Sequence, residues 1–159
     1  MRRVQEALRL CGRLALAGVL LYAGLVKVGD PTAFAQDIAN YRILPPALVA
    51  PAAALLPGIE MVVGLALLAG IWLRSAAVAS AALLGVFTVA LGSALGRGID
   101  VACGCFGHGE TPATWWTFGR DLLLFGTSVA LAFAAEPLAR PAPAALPVPE
   151  RDGPDTQPA

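Results

Sequence analysis

Charge is scarce in this chain, and what charge there is cancels. Only 14% of the 159 residues are charged, with eleven basic side chains against eleven acidic ones. A balanced chain creates no global field that attracts nucleic acid, so the sequence predicts no nucleic-acid partner. A soluble domain is excluded as well, because 57% of the residues are hydrophobic and the mean hydropathy is +0.71. The composition predicts an integral membrane protein.

Sequence repetition is also lacking. We find no internal repeat of fixed period. Many secondary transporters are built from inverted repeats with broken helices, and neither feature is visible in this sequence. The topology would suit a transporter, but nothing else in the chain favours one.

The apolar runs predict an all-α membrane protein with four transmembrane helices. The clearest run, residues 75–96, carries no charge and is long enough to cross the hydrocarbon core. Trp115 and Trp116 are typical of a membrane interface and mark the start of the last span. We predict one four-helix transmembrane domain over residues 1–135, with spans at about 8–28, 47–73, 75–96 and 115–135.

The first apolar run has a second interpretation. Arg2 and Arg3 precede it, as basic residues precede the apolar core of a cleaved signal peptide. Arg9 and Arg13 intrude on that pattern, and no clean cleavage site of small residues follows the core. We therefore favour a membrane span.

Two segments outside the spans have distinct patterns. Residues 31–44 place Phe34, Ile38 and Tyr41 on one helical face, which predicts a short amphipathic helix at the membrane interface. Residues 136–159 hold seven of the thirteen prolines and no aromatic residue, so we expect a disordered tail.

The basic residues predict the orientation of the spans. Positively charged residues concentrate on the cytoplasmic side of membrane proteins. One side of the predicted topology carries Arg2, Arg3, Arg9, Arg13, Arg74, Arg140 and Arg151, and the other carries only Lys27, Arg42, Arg97 and Arg120. We therefore expect a multi-pass protein of the bacterial cytoplasmic (inner) membrane, with both termini cytoplasmic and the loop before Trp115 outside the cell membrane.

That outer loop holds two of only three cysteines, in the stretch "VACGCFGHGE". Cys103 and Cys105 are separated by one glycine, and an extracytoplasmic loop meets an oxidising compartment. A disulfide across so short a ring should be strained, and strained or exposed disulfides are the labile, catalytic kind. His108 could lower the pKa of a neighbouring thiol. The pair predicts thiol–disulfide chemistry.

Two alternatives to a catalytic pair remain open. A static disulfide is one, although a ring this small stabilises little. A metal site formed by Cys103, Cys105 and His108, with Asp100 or Glu110 nearby, is the other. We assign no metal, because a structural zinc site needs four closed ligands.

Glu60 is the one charged residue within the second span. An ionisable group inside the membrane is costly unless it is paired, so Glu60 is a candidate for function or for a structural ion pair. The sequence offers two partners, Lys27 at the end of the first span and Arg120 inside the fourth. Asp121 could instead be the local partner of Arg120.

Several stretches, taken in order, resemble a known family. "LYAGLVKV", "IANYRILPP", "LLPGIEMVVGLALLAG", "CGCFG" and "GRDLLL" are similar to the methylamine-utilisation MauE proteins, of the wider DoxX-like group of redox-associated membrane proteins. The resemblance covers roughly residues 10–135. It implies a four-helix membrane protein of disulfide metabolism, in which Cys103 and Cys105 match the redox pair and Lys27, Glu60 and Arg120 match polar positions in or near the membrane.

The resemblance also implies partners. MauE-like proteins are associated with maturation of a periplasmic methylamine dehydrogenase rich in disulfides, and they act beside a thioredoxin-like protein. We therefore expect membrane lipid, a soluble thioredoxin-like redox protein and an exported disulfide-containing substrate as partners. No cofactor is required by the sequence, and a quinone is a candidate. The alternative function is a non-catalytic membrane anchor or assembly factor with a structural disulfide.

Overall fold

The computed structural model describes residues 2–99 and 114–135. Within these ranges the chain forms five helices and no strand: α1 (Arg2–Gly29), α2 (Pro31–Asn40), α3 (Pro46–Ala69), α4 (Leu73–Gly96) and α5 (Trp115–Ala134). All but α2 are long and apolar enough to cross a membrane. The predicted all-α architecture, with four membrane helices and a short helix after the first, is confirmed. The predicted disordered tail lies outside the described residues.

The start of the short helix α2 is determined by Asp30 and Pro31. The Asp30 carboxylate accepts hydrogen bonds from the Ala33 backbone N–H (3.0 Å) and the Thr32 hydroxyl (2.7 Å), which is a helix N-cap. Pro31 fits the first helical position because its missing N–H would have no intrahelical partner there. The helix ends at Asn40, four residues earlier than the predicted 31–44, and Arg42 adopts a left-handed φ of 52°. A turn at residues 41–42 and an irregular segment then lead to Pro45 and Pro46, where α3 begins.

Helices α1 and α3 pack antiparallel, with their backbones in close contact at two glycines. A Cβ atom on Gly24 would lie 2.7 Å from Met61 Cγ and 3.1 Å from the Pro57 carbonyl oxygen. A Cβ atom on Gly64 would lie 2.9 Å from Leu21 Cγ. Small residues of this kind drive helix association in membranes, where lipid competes equally for apolar side chains. The two glycines therefore set the register of α1 on α3.

The second antiparallel pair is α4 with α5. Ser80 and Ser128 hydroxyls lie 3.0 Å apart across the pair, and the Ser128 hydroxyl also donates to the Leu124 carbonyl oxygen. Phe125 and Phe118 pack over Gly85 and Gly92. The buried core between the two pairs is formed by Leu16, Ala17, Leu20, Val63, Leu67, Ala76, Ala77, Leu84 and Leu131.

A sharp turn separates α3 from α4. Gly70 ends α3 with a left-handed φ of 72°, and the Ile71 N–H reaches back to the Ala66 carbonyl oxygen at 3.1 Å, as in a Schellman cap. Trp72 follows with a φ of 47°. The turn explains why α3 stops at Ala69, whereas the apolar composition alone runs on to residue 73.

The antiparallel pairs orient the helices in two opposite directions. The C-terminal ends of α1, α2 and α4 face the same way as the N-terminal ends of α3 and α5, and we call this side the α2 end. Arg97, just after α4, donates to the Tyr41 carbonyl oxygen at 2.6 Å and so ties α4 to the end of α2. The described part of α4 ends, and that of α5 begins, at this same end.

Candidate functional site: a buried charge cluster beside an apolar cavity

An ion pair lies inside the helix bundle. Lys27 Nζ donates to Glu60 Oε1, and the two side chains are 2% and 1% exposed. Lys27 belongs to the last turn of α1, where a cation is favoured by the helix dipole, and Glu60 lies near the middle of α3. Because α1 ends level with the middle of α3, Lys27 in its last turn lies in the interior of the bundle and not at the membrane surface.

Two aromatic rings enclose the lysine. Its Nζ atom lies 5.0 Å from the centroid of Phe34 on α2 and 4.5 Å from the centroid of Phe87 on α4. A cation over an aromatic face is attracted to the ring, and the attraction grows when water is excluded. Lys27 therefore links four helices: α1 and α3 through the ion pair, and α2 and α4 through the rings.

A second acidic residue lies close to the ion pair. Glu60 and Asp121 both line a cavity of about 10 Å³, roughly the volume that one water molecule needs. Glu60 Oε2 is buried without a hydrogen-bond partner among the described residues. Asp121, on α5, is 1% exposed. The cavity thus brings two buried carboxyl groups to one small space beside a single lysine.

Arg120 is the partner of Asp121. Its Nη2 and Nε atoms lie 3.0 Å and 3.2 Å from Asp121 Oδ1, and its side chain is 30% exposed. The sequence offers Lys27 and Arg120 as partners for Glu60. In the structure Glu60 forms its ion pair with Lys27, and Arg120 forms an ion pair with its neighbour Asp121. The reason is the fold: α1, not α5, lies directly against the face of α3 that carries Glu60.

A larger cavity of about 160 Å³ lies between this cluster and the α2 end. The lining comes from α2, the following connection, α3, α4 and Asp121 of α5, and the cavity surface is almost entirely apolar. Phe34 and Phe87 line it as well, so the two rings that enclose Lys27 separate the ion pair from the cavity.

The predicted site residues fall into two groups. Lys27 and Glu60 are together in the interior, and Arg120 lies nearby on α5. Cys103, Cys105 and His108 lie outside the described residues, as does the alternative metal site built on them. Within residues 2–99 and 114–135, no group of three metal-binding side chains occurs.

Sequence reasoning gave too little weight to three residues of this cluster. The sequence indicates Asp121 only as a local partner of Arg120, and Phe34 only as part of an amphipathic face. Phe87 has no sequence signal, since it is one apolar residue in an apolar helix. Their roles depend on which faces of α2, α4 and α5 turn inward.

Comparison with known proteins identifies the family. The model of the family described as methylamine utilisation protein MauE matches residues 5–134. The chain belongs to the MauE family. It is 36% identical over 124 residues to the methylamine utilization protein MauE of Paracoccus denitrificans. That alignment covers 77% of this chain and 66% of the relative, so it spans just under two thirds of the relative's length. No solved structure matches the chain.

MauE membership and four apolar helices together make this a multi-pass membrane protein. The family match runs from the first turn of α1 to the end of α5 and includes the cysteine-containing sequence between α4 and α5. The family resemblance predicted from the sequence motifs is confirmed.

Proposed function

We propose that this MauE-family protein is a membrane thiol:disulfide redox protein that uses Cys103 and Cys105 to exchange disulfides with a soluble thioredoxin-like partner. The observation that carries the proposal is the Cys-Gly-Cys sequence in the connection between α4 and α5. Two of the three cysteines of an apolar chain stand in this connection.

The chemistry requires one attacking and one resolving cysteine. The thiolate of one cysteine attacks the partner's disulfide, so a new S–S bond joins the two proteins and one partner sulfur leaves as a thiolate. The second cysteine then attacks this mixed disulfide, which closes the Cys103–Cys105 ring and releases the partner as a dithiol. In the reverse direction, the oxidised Cys103–Cys105 pair oxidises a dithiol of the partner to a disulfide and is itself reduced to two thiols. In either direction the two proteins exchange two electrons.

The buried cluster is consistent with a supporting role. Lys27, Glu60 and the two phenylalanines link α1, α2, α3 and α4 on the side toward the α2 end, where the cysteine connection is attached. The Thr114 hydroxyl accepts from the Thr117 N–H at 3.2 Å and caps the first turn of α5 directly after that connection. These contacts order the bundle and the first turn of α5 next to the connection.

The proposed location follows from charge. Arg9 and Arg13 on α1 and Arg74 at the start of α4 belong to the end of the bundle opposite α2. The positive-inside rule assigns that end to the cytoplasm. The cysteine connection would then face the extracytoplasmic side of a bacterial inner membrane, where disulfides form and persist.

The substrate follows from the family description. The relative in Paracoccus denitrificans is described as a methylamine utilization protein. We propose that this chain likewise supports disulfide formation in an exported protein of methylamine utilisation, such as methylamine dehydrogenase.

Trapping of mixed disulfides tests the exchange reaction. Cys103→Ser and Cys105→Ser are expressed singly in intact cells, which are quenched in acid and alkylated. One variant should accumulate a covalent adduct with a soluble thioredoxin-like protein, and the cysteine left in that variant is the attacking one. Cys11→Ser is the matched control, because Cys11 is exposed on the part of α1 remote from the α2 end and should not affect trapping.

Two outcomes would contradict the proposal. If neither variant traps a partner and the native pair stays oxidised in glutathione, Cys103 and Cys105 form a structural disulfide and the protein is an anchor or assembly factor. If the purified protein instead binds metal and His108→Ala abolishes that binding, the loop is a metal site.

A further inference from the structure

Two neighbouring cavities lie between α1 and α5 at the end of the bundle opposite α2. One, of about 390 Å³, is lined by Glu6, Arg9 and Arg13 of α1 together with apolar residues of α1, α4 and α5. The other has a volume of about 300 Å³. Arg9, Leu131 and Ala134 line both cavities, so the two are adjacent. We call them together the α1–α5 groove.

The smaller cavity of this groove is mostly apolar and faces the bilayer. Leu8 and Gly12 of α1 and Ala130 of α5 belong to its lining. The two helices are in contact at Gly12, where a Cβ atom would lie 3.2 Å from Thr127 Cγ2. Leu8 is 68% exposed, and exposed apolar side chains of a membrane-spanning bundle contact lipid. An acyl chain can therefore enter this part of the groove from the side.

The larger cavity has charged groups without counter-ions. Arg9 and Arg13 form no ion pair within the described residues. The Arg13 Nε atom is buried and has no hydrogen-bond partner there either. Glu6 is the one carboxylate in the lining, so two arginines against one glutamate leave a net charge of one positive unit. A lining of this kind favours an anion.

The surroundings of Arg13 compensate its charge only in part. A Cβ atom on Gly70 would lie 2.7 Å from Arg13 Nη1, so the guanidinium lies against the turn that ends α3. The partial negative charge of a helix C-terminus attracts a cation there, but it amounts to about half a unit charge. Arg9 is four residues before Arg13 on the same helix, and like charges at this spacing repel each other. An anion bound between the two arginines would remove that repulsion.

The groove lies at the level of the lipid head groups. Leu73 belongs to its lining, and the preceding residue, Trp72, is 69% exposed. Exposed tryptophans of membrane proteins concentrate at the membrane interface. This is also the end that the positive-inside rule assigns to the cytoplasm. Anionic lipids give the cytoplasmic leaflet its negative surface potential, and basic pockets between membrane helices on that side bind anionic head groups.

We propose that the α1–α5 groove binds one anionic phospholipid. Its phosphate lies between Arg9 and Arg13, and an acyl chain lies along Leu8 and Ala130. A zwitterionic lipid fills the same apolar space but brings no net charge to offset that of the lining. Lipid binding at this site is independent of the proposed thiol exchange, because it uses neither Cys103 nor Cys105.

Native mass spectrometry of the full-length protein tests the site. The protein is freed of lipid in a nonionic detergent and titrated with phosphatidylglycerol, or with phosphatidylcholine of the same acyl chains. Wild type should bind phosphatidylglycerol at least about fivefold more tightly, since one basic residue near an anionic lipid contributes about that factor. Arg9→Gln and Arg13→Gln should each lose most of this preference. Arg3→Gln is the matched control, because Arg3 is an exposed arginine of the same helix that lines neither cavity.

A second measurement uses wild type alone and so does not depend on the folding of a variant. Phosphatidylglycerol with a diazirine on one acyl chain is attached to the protein by illumination, and labelled peptides are located by mass spectrometry. Label concentrated within residues 8–13 and 127–135 supports the site, and label spread evenly over all four membrane helices overturns it.

Three results of the titration would also overturn the proposal. Equal affinity for the two lipids would reduce the groove to ordinary contact with bilayer lipid. The same loss of preference in Arg3→Gln as in Arg9→Gln and Arg13→Gln would show a general effect of positive charge. A dimer mass without bound lipid would assign the groove to a second copy of the chain. None of these results bears on Cys103 and Cys105, so the two proposals fail separately.

Discussion

Lys27 and Glu60 are 33 positions apart in the sequence and form an ion pair that is almost fully buried between α1 and α3. Its cation is also held between the rings of Phe34 and Phe87. A charge removed from both water and lipid headgroups is stable only with such compensation. The pair therefore makes the packing of four helices depend on two side chains.

Removal of the cation alone should destabilise the fold strongly. Lys27→Met leaves Glu60 buried without its counter-charge, which costs about 3–5 kcal/mol. The double variant Lys27→Met/Glu60→Met should recover most of that loss, since no buried charge remains. The measurement is equilibrium unfolding of the purified protein in mixed micelles. Arg9→Met, which removes an exposed cation from the same helix, serves as the control and should change stability little. An equal loss in the single and double variants would show that the pair is not the source of the effect.

The aromatic walls should contribute separately from the ion pair. Phe87→Leu keeps an apolar side chain but removes the ring 4.5 Å from Lys27 Nζ, and should cost about 1–2 kcal/mol. Phe133→Leu is the control, because Phe133 is 87% exposed. If the two variants unfold at the same denaturant concentration, the ring adds nothing to the stability of the buried lysine.

The close approach of α1 and α3 predicts a strong position effect for alanine. Gly24→Ala places a Cβ atom 2.7 Å from Met61 Cγ and 3.1 Å from a backbone oxygen, so the helices must separate or shift. We expect a loss of about 1–3 kcal/mol, as for other overpacked contacts. Gly18→Ala on the same helix meets no atom within 4 Å and should be neutral or stabilising through its higher helix propensity. A Gly24→Ala variant as stable as Gly18→Ala would show that the register does not depend on this contact.

The hydroxyl pair between α4 and α5 should be weaker than any of these. Ser80 and Ser128 oxygens lie 3.0 Å apart, and interhelical hydrogen bonds in membrane proteins average about 0.6 kcal/mol. A double-mutant cycle with Ser80→Ala and Ser128→Ala should therefore return a coupling of about that size. The Ser128 hydroxyl also donates to the Leu124 carbonyl oxygen, so it retains an acceptor when Ser80 is replaced. A coupling near zero would mean that this intrahelical bond fully replaces the lost contact.

Four membrane helices and a short helix between the first two could be predicted from the sequence. Hydrophobic length and the placement of Pro31, Pro45 and Trp115 are local properties, and they need no knowledge of neighbours. The ends of the helices are less predictable from the sequence. The α3–α4 boundary depends on Gly70 and Trp72 adopting left-handed backbone conformations within a continuous apolar run.

The sequence by itself determined the membrane class, the number of spans, the family motifs and the cysteine pair between the third and fourth spans, because each is a matter of composition or short spacing. Only the tertiary structure decided that Glu60 pairs with Lys27 rather than Arg120, that Glu60 and Asp121 line the same small cavity, and that α2, α3 and α4 line one larger apolar cavity. These relationships join residues 33 or more positions apart. They depend on the register of α1 on α3 and on which face of each uniformly apolar helix turns inward. Hydropathy predicts neither.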